Sequence, residues 1–203
     1  MLKQTFIELL LRYTDDERVV ADLWNEIEQN YSKSNRYYHS LTHLENLLQL
    51  LTEIKQLIED YDTLLLTLFY HDLIYDSLKS DNEKQSSEVA EKRLKQLYIS
   101  SDKIEKCKAQ ILATKDHNLS LDEDTNYFTD ADLSILGKSW DIYSKYSQNV
   151  RKEYSIYPDF MYNSGRKKVL KHFLAMDKIF KTDYFYNKFE QQARTNLEKE
   201  LNQ

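Results

Sequence analysis

A histidine and an aspartate stand side by side, His71-Asp72, at the end of the apolar run Leu64-Leu65-Leu66-Thr67-Leu68-Phe69-Tyr70. A run of that length and leucine content reads as a helix entering a core. An imidazole and an ionised carboxylate at such a place need partners, because burying either one bare is costly. A metal ion would satisfy both at once. The plainer reading is a core histidine hydrogen-bonded to a neighbour, beside an aspartate that faces water. Two more histidines, His39 and His43, are four apart, so on a helix they would share one face. Position 40 is Ser, so they do not form the HExxH of a zinc-protease helix, and two polar surface residues would explain them equally well. Asp130 and Asp132 lie just ahead of Ile135 and Leu136. A helix N-terminus favours acidic residues through its dipole. That account suits Asp130 better than Asp132, which sits deeper in the helical pattern.

The elements that must position these groups read as helices. Thr14 with Glu17 fits a capping box ahead of Val19, Val20, Leu23, Trp24 and Ile27. Over 39–58, Leu44, Leu47, Leu48, Leu51, Ile54, Leu57 and Ile58 make an apolar stripe at helical spacing. Residues 62–75 are apolar nearly all round, as a central helix should be. Ser80 and Glu83 suggest a second capping box, opening a helix through Leu97. Residues 102–113 and 139–154 read as further helices. Gly165 opens another that runs on through Val169, Leu170, Phe173, Leu174 and Ile179, and the last covers 184–201. Breaks are expected near 30–36, 75–81, 117–127 and 157–164. Nothing reads as a linker, a repeat or a low-complexity tract.

Composition agrees. In 203 residues there are only two glycines and one proline. Hairpins and strand-rich sandwiches depend on such residues, so an all-α class is expected. A hydrophobic share of 41% is enough for a core, and 31% charged residues suit solvated helix faces. The sixteen tyrosines are read as helix–helix contacts with hydroxyls reaching water. A single cysteine, Cys107, excludes an internal disulfide and any Cys-rich zinc site, and is expected to be a buried, inert thiol. No signal-peptide pattern is present, and no apolar segment approaches the roughly 18 residues needed to span a bilayer. A cytoplasmic protein with no membrane partner is expected. A net charge of −6 argues against general nucleic-acid binding, which depends on neutralising phosphates.

Taken in order, His39, His71-Asp72 and Asp132 form an H…HD…D series on mostly helical segments. With the contexts Arg36-Tyr37-Tyr38-His39-Ser40-Leu41, Phe69-Tyr70-His71-Asp72 and Asp130-Ala131-Asp132-Leu133, the chain resembles the HD superfamily of metal-dependent phosphohydrolases. Further segments extend the resemblance to an uncharacterised group of predicted HD phosphohydrolases of about this size. They are Tyr38-His39 with His43, Tyr75 after His71-Asp72, Asn82-Glu83 with Ser86, Ala113-Thr114-Lys115-Asp116-His117, Asp132 through Gly137, and Gly165-Arg166. The resemblance implies a single HD-type helical domain over 1–203. Its metal-site core would cover about 36–137, with C-terminal helices at 139–203 packing on it.

The resemblance also implies metal ligation by His39, His71, Asp72 and Asp132. Such a nitrogen–oxygen set suits one or two ions of Mn, Fe, Co, Ni or Zn, with Mg also possible. The implied reaction is hydrolysis of a phosphate ester of a nucleotide or related small metabolite, with the metal polarising the phosphoryl group and acidifying water. Asp72, Lys115, His117 and Glu83 are the expected catalytic groups. Arg36, His43, Lys115 and His117 are expected to bind substrate, Arg36 as a bidentate phosphate clamp. Each has a plain alternative: His43 as a helper of His39, Lys115 and His117 as a solvated turn, Glu83 as a capping residue. His43 and His117 could instead hold a second metal. Arg166, near Lys167, Lys168 and Lys171, reads as a solvated basic face, and His172 as structural. Two other functions stay open, a di-iron HD-type oxygenase and a non-catalytic metal- or nucleotide-binding module. The chain could be a monomer or a homodimer.

Overall fold

The computed structural model describes residues 1–203 and is all-α, with ten α-helices, two short 3-10 turns and no strand. Backbone contacts divide it into two units, Met1–Thr129 and Asp130–Gln203. The division falls inside a helix, a few residues ahead of the 137/139 position where the sequence sets the C-terminal helices apart. No helix is long and apolar enough to cross a membrane.

The first unit contains α1 (Leu2–Leu10), α2 (Glu17–Tyr31), α3 (Leu41–Glu53), α4 (Tyr61–Tyr70), α5 (Asn82–Gln96), α6 (Ser101–Ala113) and the start of α7 (Glu123–Leu133). Helix α4 is its centre. Every residue from Thr63 to Tyr70 is buried, against α6, α3, α5 and α1. The cause is in the sequence, which places no charge after Asp62 until His71-Asp72. Each fully buried leucine of this run contributes about 1.5–3 kcal/mol. Asp60 starts the helix by accepting the Thr63 N–H at 3.1 Å and the Thr63 hydroxyl at 2.7 Å. Lys103 from α6 closes on the same carboxylate at 2.6 Å. Burial alone would raise the Asp60 pKa, but the hydrogen bonds from Lys103 and Thr63 outweigh it and hold it below the ordinary value. Asp124, in the first turn of α7, accepts the N–H groups of Glu59 and Asp60 at 2.8 and 2.9 Å and the Lys106 ammonium at 2.8 Å.

Between α4 and α6, the Thr67 hydroxyl donates to Gln110 Oε1 at 2.6 Å. Cys107 is fully buried there, and burial pushes its thiol up to about 12, the inert thiol expected. Two capping expectations are corrected. Asp16, not Thr14, caps α2 by accepting the Arg18 and Val19 N–H groups, because the Thr14 hydroxyl accepts the Asp16 N–H one turn earlier. The N-cap of α5 is Asp81 rather than Ser80, and no side chain closes it.

The second unit holds a 3-10 turn at Ser134–Gly137, then α8 (Trp140–Glu153), α9 (Asp159–Ala175) and α10 (Asp183–Leu201). Gly137 is required where it stands: a Cβ there would lie 2.5 Å from Phe189 Cβ and 2.6 Å from the Phe189 carbonyl oxygen. Asn196 of α10 fastens the same turn by donating to the Leu136 and Lys138 carbonyls, both at 2.8 Å. Glu190 accepts the Ile179 and Phe180 N–H groups and the Arg194 guanidinium. Gly165 does not open a helix. It lies inside α9, which begins after Pro158, a residue favoured at helix starts. The early part of α9 escapes a periodicity reading because Leu170 is its one buried residue. Arg166 is no solvated face either. Its guanidinium grips Glu200 at 2.8 and 3.0 Å, and the Glu200 carboxylate also accepts the Tyr143 and Ser147 hydroxyls. His172 is exposed.

Candidate metal centre

The end of α4 and the start of α3 bring imidazoles face to face. His71 follows the last residue of α4 with helical backbone angles and is 1% exposed. Its Nδ1 lies 2.9 Å from the Leu68 carbonyl oxygen. A carbonyl can only accept, so Nδ1 carries a proton, and in the neutral ring the unprotonated Nε2 is the nitrogen turned inward. That Nε2 is 3.2 Å from Nε2 of His43 and 3.1 Å from Oδ2 of Asp72. The third side of the triangle, His43 Nε2 to Asp72 Oδ2, is 3.8 Å.

Three electron-rich atoms at these separations need a proton or a cation among them. The distances suit a cation. Ligands about 2.1 Å from one ion stand about 3.0 Å apart at right angles and about 3.4 Å apart at the tetrahedral angle. Asp132 is one turn beyond Phe128 on α7, and the Phe128 ring meets His71 edge-on at 5.4 Å.

His43 belongs to this trio through its Nε2. Ser40 has extended backbone and α3 begins only at Leu41, so the two histidines do not share a helix face. His43 sits in the first turn of α3 and is 4% exposed. His39 lies in the bend before the helix and is half-buried. Its ring stacks on Tyr75 at 4.3 Å and stands 6.0 Å from that of His43. A sequence signal for His43 existed. It precedes Leu47 by one turn on the same apolar stripe, so a helix over that stripe buries it.

Arg36 positions this region. Its guanidinium donates to the carbonyl oxygens of His39, Asp72 and Leu73 at 3.2, 2.7 and 2.8 Å and lies over the Tyr31 ring at 4.8 Å. The segment before α3 is thereby tied to the one after α4. Tyr31 adds to the tie, its hydroxyl accepting the Asp72 N–H at 3.2 Å. Tyr38 packs against both His39 and His43 at 4.9 and 5.0 Å. Sequence reasoning gave these tyrosines no role at the site, and a tyrosine-rich composition does not say which ones gather.

The other expected site residues occupy the loop after α6 and the start of α5. Lys115 is exposed and its ammonium donates to the Ser80 carbonyl at 2.9 Å. Glu83 is half-buried in the first turn of α5, three residues beyond Ser80. His117 is half-buried with a left-handed φ of 51°, its N–H closing the end of α6 on the Ala113 carbonyl at 3.0 Å. That conformation strains a side-chain-bearing residue by about 1–2 kcal/mol.

Asp130 has a separate task. It is fully buried in the last turn of α7, not at a helix N-terminus. It accepts the Lys181 N–H at 2.9 Å, the Lys181 ammonium at 3.1 Å, and the Thr182 N–H and hydroxyl at 2.8 Å. Burial pushes the Lys181 pKa down, and Asp130 works against that shift. The chain matches no protein-family model, no curated protein and no solved structure.

Proposed function

We propose that this protein is a metal-dependent phosphohydrolase of the HD type, acting on a phosphate ester of a nucleotide or related small metabolite. The observation that supports this most directly is the convergence of His43 Nε2, His71 Nε2 and Asp72 Oδ2 at 3.1–3.8 Å. It comes with an ordered reason for His71 to present a lone pair. The reading also rests on the resemblance carried by the H…HD…D series. His43, His71, Asp72 and Asp132 would hold a divalent transition ion, with His39 beside them. Such an ion, when bound, supplies Lewis acidity toward a phosphoryl group and toward water.

The chain's own groups do the rest. The Leu68 carbonyl fixes the His71 tautomer, as outer hydrogen bonds commonly do for ligating histidines. Arg36 keeps Asp72 in register through the carbonyls it grips, a positioning role rather than a phosphate clamp. Lys115, released from Ser80, is a free-swinging cation for a phosphate, and His117 is a proton donor for a leaving group. Glu83, three residues beyond Ser80 in the first turn of α5, would orient water or substrate.

The test is elemental analysis of the purified chain, coupled to phosphate release from a nucleotide panel with added Mn, Co, Ni or Mg. The double variant His71→Ala/Asp72→Ala runs alongside. Wild type is expected to carry metal and release phosphate, and the variant to do neither. No metal after attempted loading would overturn the site, since a shared proton would then explain the geometry. About two irons per chain without phosphate release would replace the hydrolase reading with the oxygenase. Stoichiometric nucleotide binding without turnover would replace it with a binding module.

A further inference from the structure

The second unit carries a concave pocket of about 440 Å³ on α8 and α9, lined by Val150, Tyr154, Tyr157, Met161, Gly165 and Val169 among others. Drug-sized ligands occupy pockets of about 300–1,000 Å³, so the volume is sufficient for a small molecule. The lining is aromatic and aliphatic, and its rim exposes Met161 by 50% and Val169 by 44%.

The walls are fixed before any ligand arrives. Arg151 donates to the Tyr154 and Tyr157 carbonyls, both at 2.9 Å, and pairs with Asp159 at 2.7 Å. Its guanidinium also lies over the Tyr162 ring at 4.7 Å. A preorganised wall loses little on binding. The two guanidinium groups of the region are both matched: Arg151 by Asp159 and Arg166, itself part of the lining, by Glu200. Neither is left to attract an anion.

Gly165 supplies an independent observation. A glycine inside a helix lowers stability by about 1 kcal/mol relative to alanine. Gly137 has a packing reason for lacking a Cβ, but a Cβ on Gly165 would meet nothing within 4 Å. Gly165 is exposed, and its bare backbone is part of the pocket lining. We infer that this pocket is a binding site for an uncharged, largely apolar small molecule that lies against the bare backbone at Gly165. All of its residues belong to the second unit, so the inference stands or falls separately from the metal centre.

The experiment is a fluorescence titration of the full chain with the neutral probe N-phenyl-1-naphthylamine. Gly165→Leu adds a bulky side chain to the pocket lining and Val169→Glu puts a charge on it, each checked for native helicity by circular dichroism. Saturable binding of one probe per chain is expected, weakened at least tenfold in either variant. Two results would overturn the inference: no saturable binding to wild type, or equal binding by wild type and both folded variants. Sedimentation showing a dimer that Val169→Glu dissociates would overturn it too, by giving the face to a second copy of the chain.

Discussion

Asp130 and Asp132 are two residues apart on one helix, and the structure assigns them opposite consequences when lost. Replacing Asp130 by alanine removes the acceptor for the Lys181 and Thr182 N–H groups, the Thr182 hydroxyl and the Lys181 ammonium. Breaking a buried ion pair by deleting one partner costs about 3–5 kcal/mol, and the orphaned N–H groups add about 1–3 kcal/mol each where water cannot reach them. One effect caps the sum. Burial already presses the Lys181 ammonium toward its neutral form, which limits the cost of leaving it without Asp130. A net loss of about 3–5 kcal/mol is therefore expected for Asp130→Ala in urea denaturation. Metal affinity of the molecules that remain folded should be unchanged. Asp132 is half-buried and closes the H…HD…D series that the proposed metal site rests on. Asp132→Ala should cost less stability than Asp130→Ala while weakening Mn or Zn binding at least tenfold, read by isothermal titration calorimetry. Full metal affinity in Asp132→Ala, or lost affinity in folded Asp130→Ala, would refute the division of labour.

The same calorimetry separates the two histidines of the α3 region: His43→Ala should lose at least tenfold more affinity than His39→Ala, because His43 Nε2 stands 3.2 Å from His71 Nε2 and 3.8 Å from Asp72 Oδ2. An acid titration tests the second unit. Burial tends to raise the Glu200 pKa, but hydrogen bonds from Arg166, Tyr143 and Ser147 prevail and hold it below the ordinary 4.5. Its contribution is thus complete above about pH 4.5 and lost as the pH falls through the lower folded value. Urea midpoints followed from pH 6 to pH 3 should drop, and Glu200→Gln should flatten that part of the slope. An unchanged slope would show that Glu200 is not a source of the acid sensitivity.

Much of this arrangement is legible in the residues alone, and the failures share a cause. The all-α class follows from scarce glycine and proline with repeated apolar stripes, and α4 follows from its uncharged leucine run. His71-Asp72 is conspicuous because that run ends on it. What local pattern does not encode is a partner far along the chain. Asp130 looked like a dipole residue, yet its partners are at 181–182. Arg36 looked like a phosphate clamp, yet its guanidinium holds the carbonyls of 72 and 73. His39 and His43 depended on where α3 begins, and one extended residue, Ser40, decided it. The start of α9 was invisible because a helix that buries so little has no stripe to read.

Cys107 gives the chain a built-in clock. With its thiol enclosed between α4 and α6 and its pKa pushed to about 12, a disulfide reagent in the surrounding solution finds nothing to attack in the native state. Reaction waits until the α4–α6 contact comes apart. The rate of labelling under native conditions then measures how often the centre of the first unit opens, with no engineered probe and with one signal per molecule. Metal added to the solution should slow that clock if its ligands at the end of α4 hold the same helix in place.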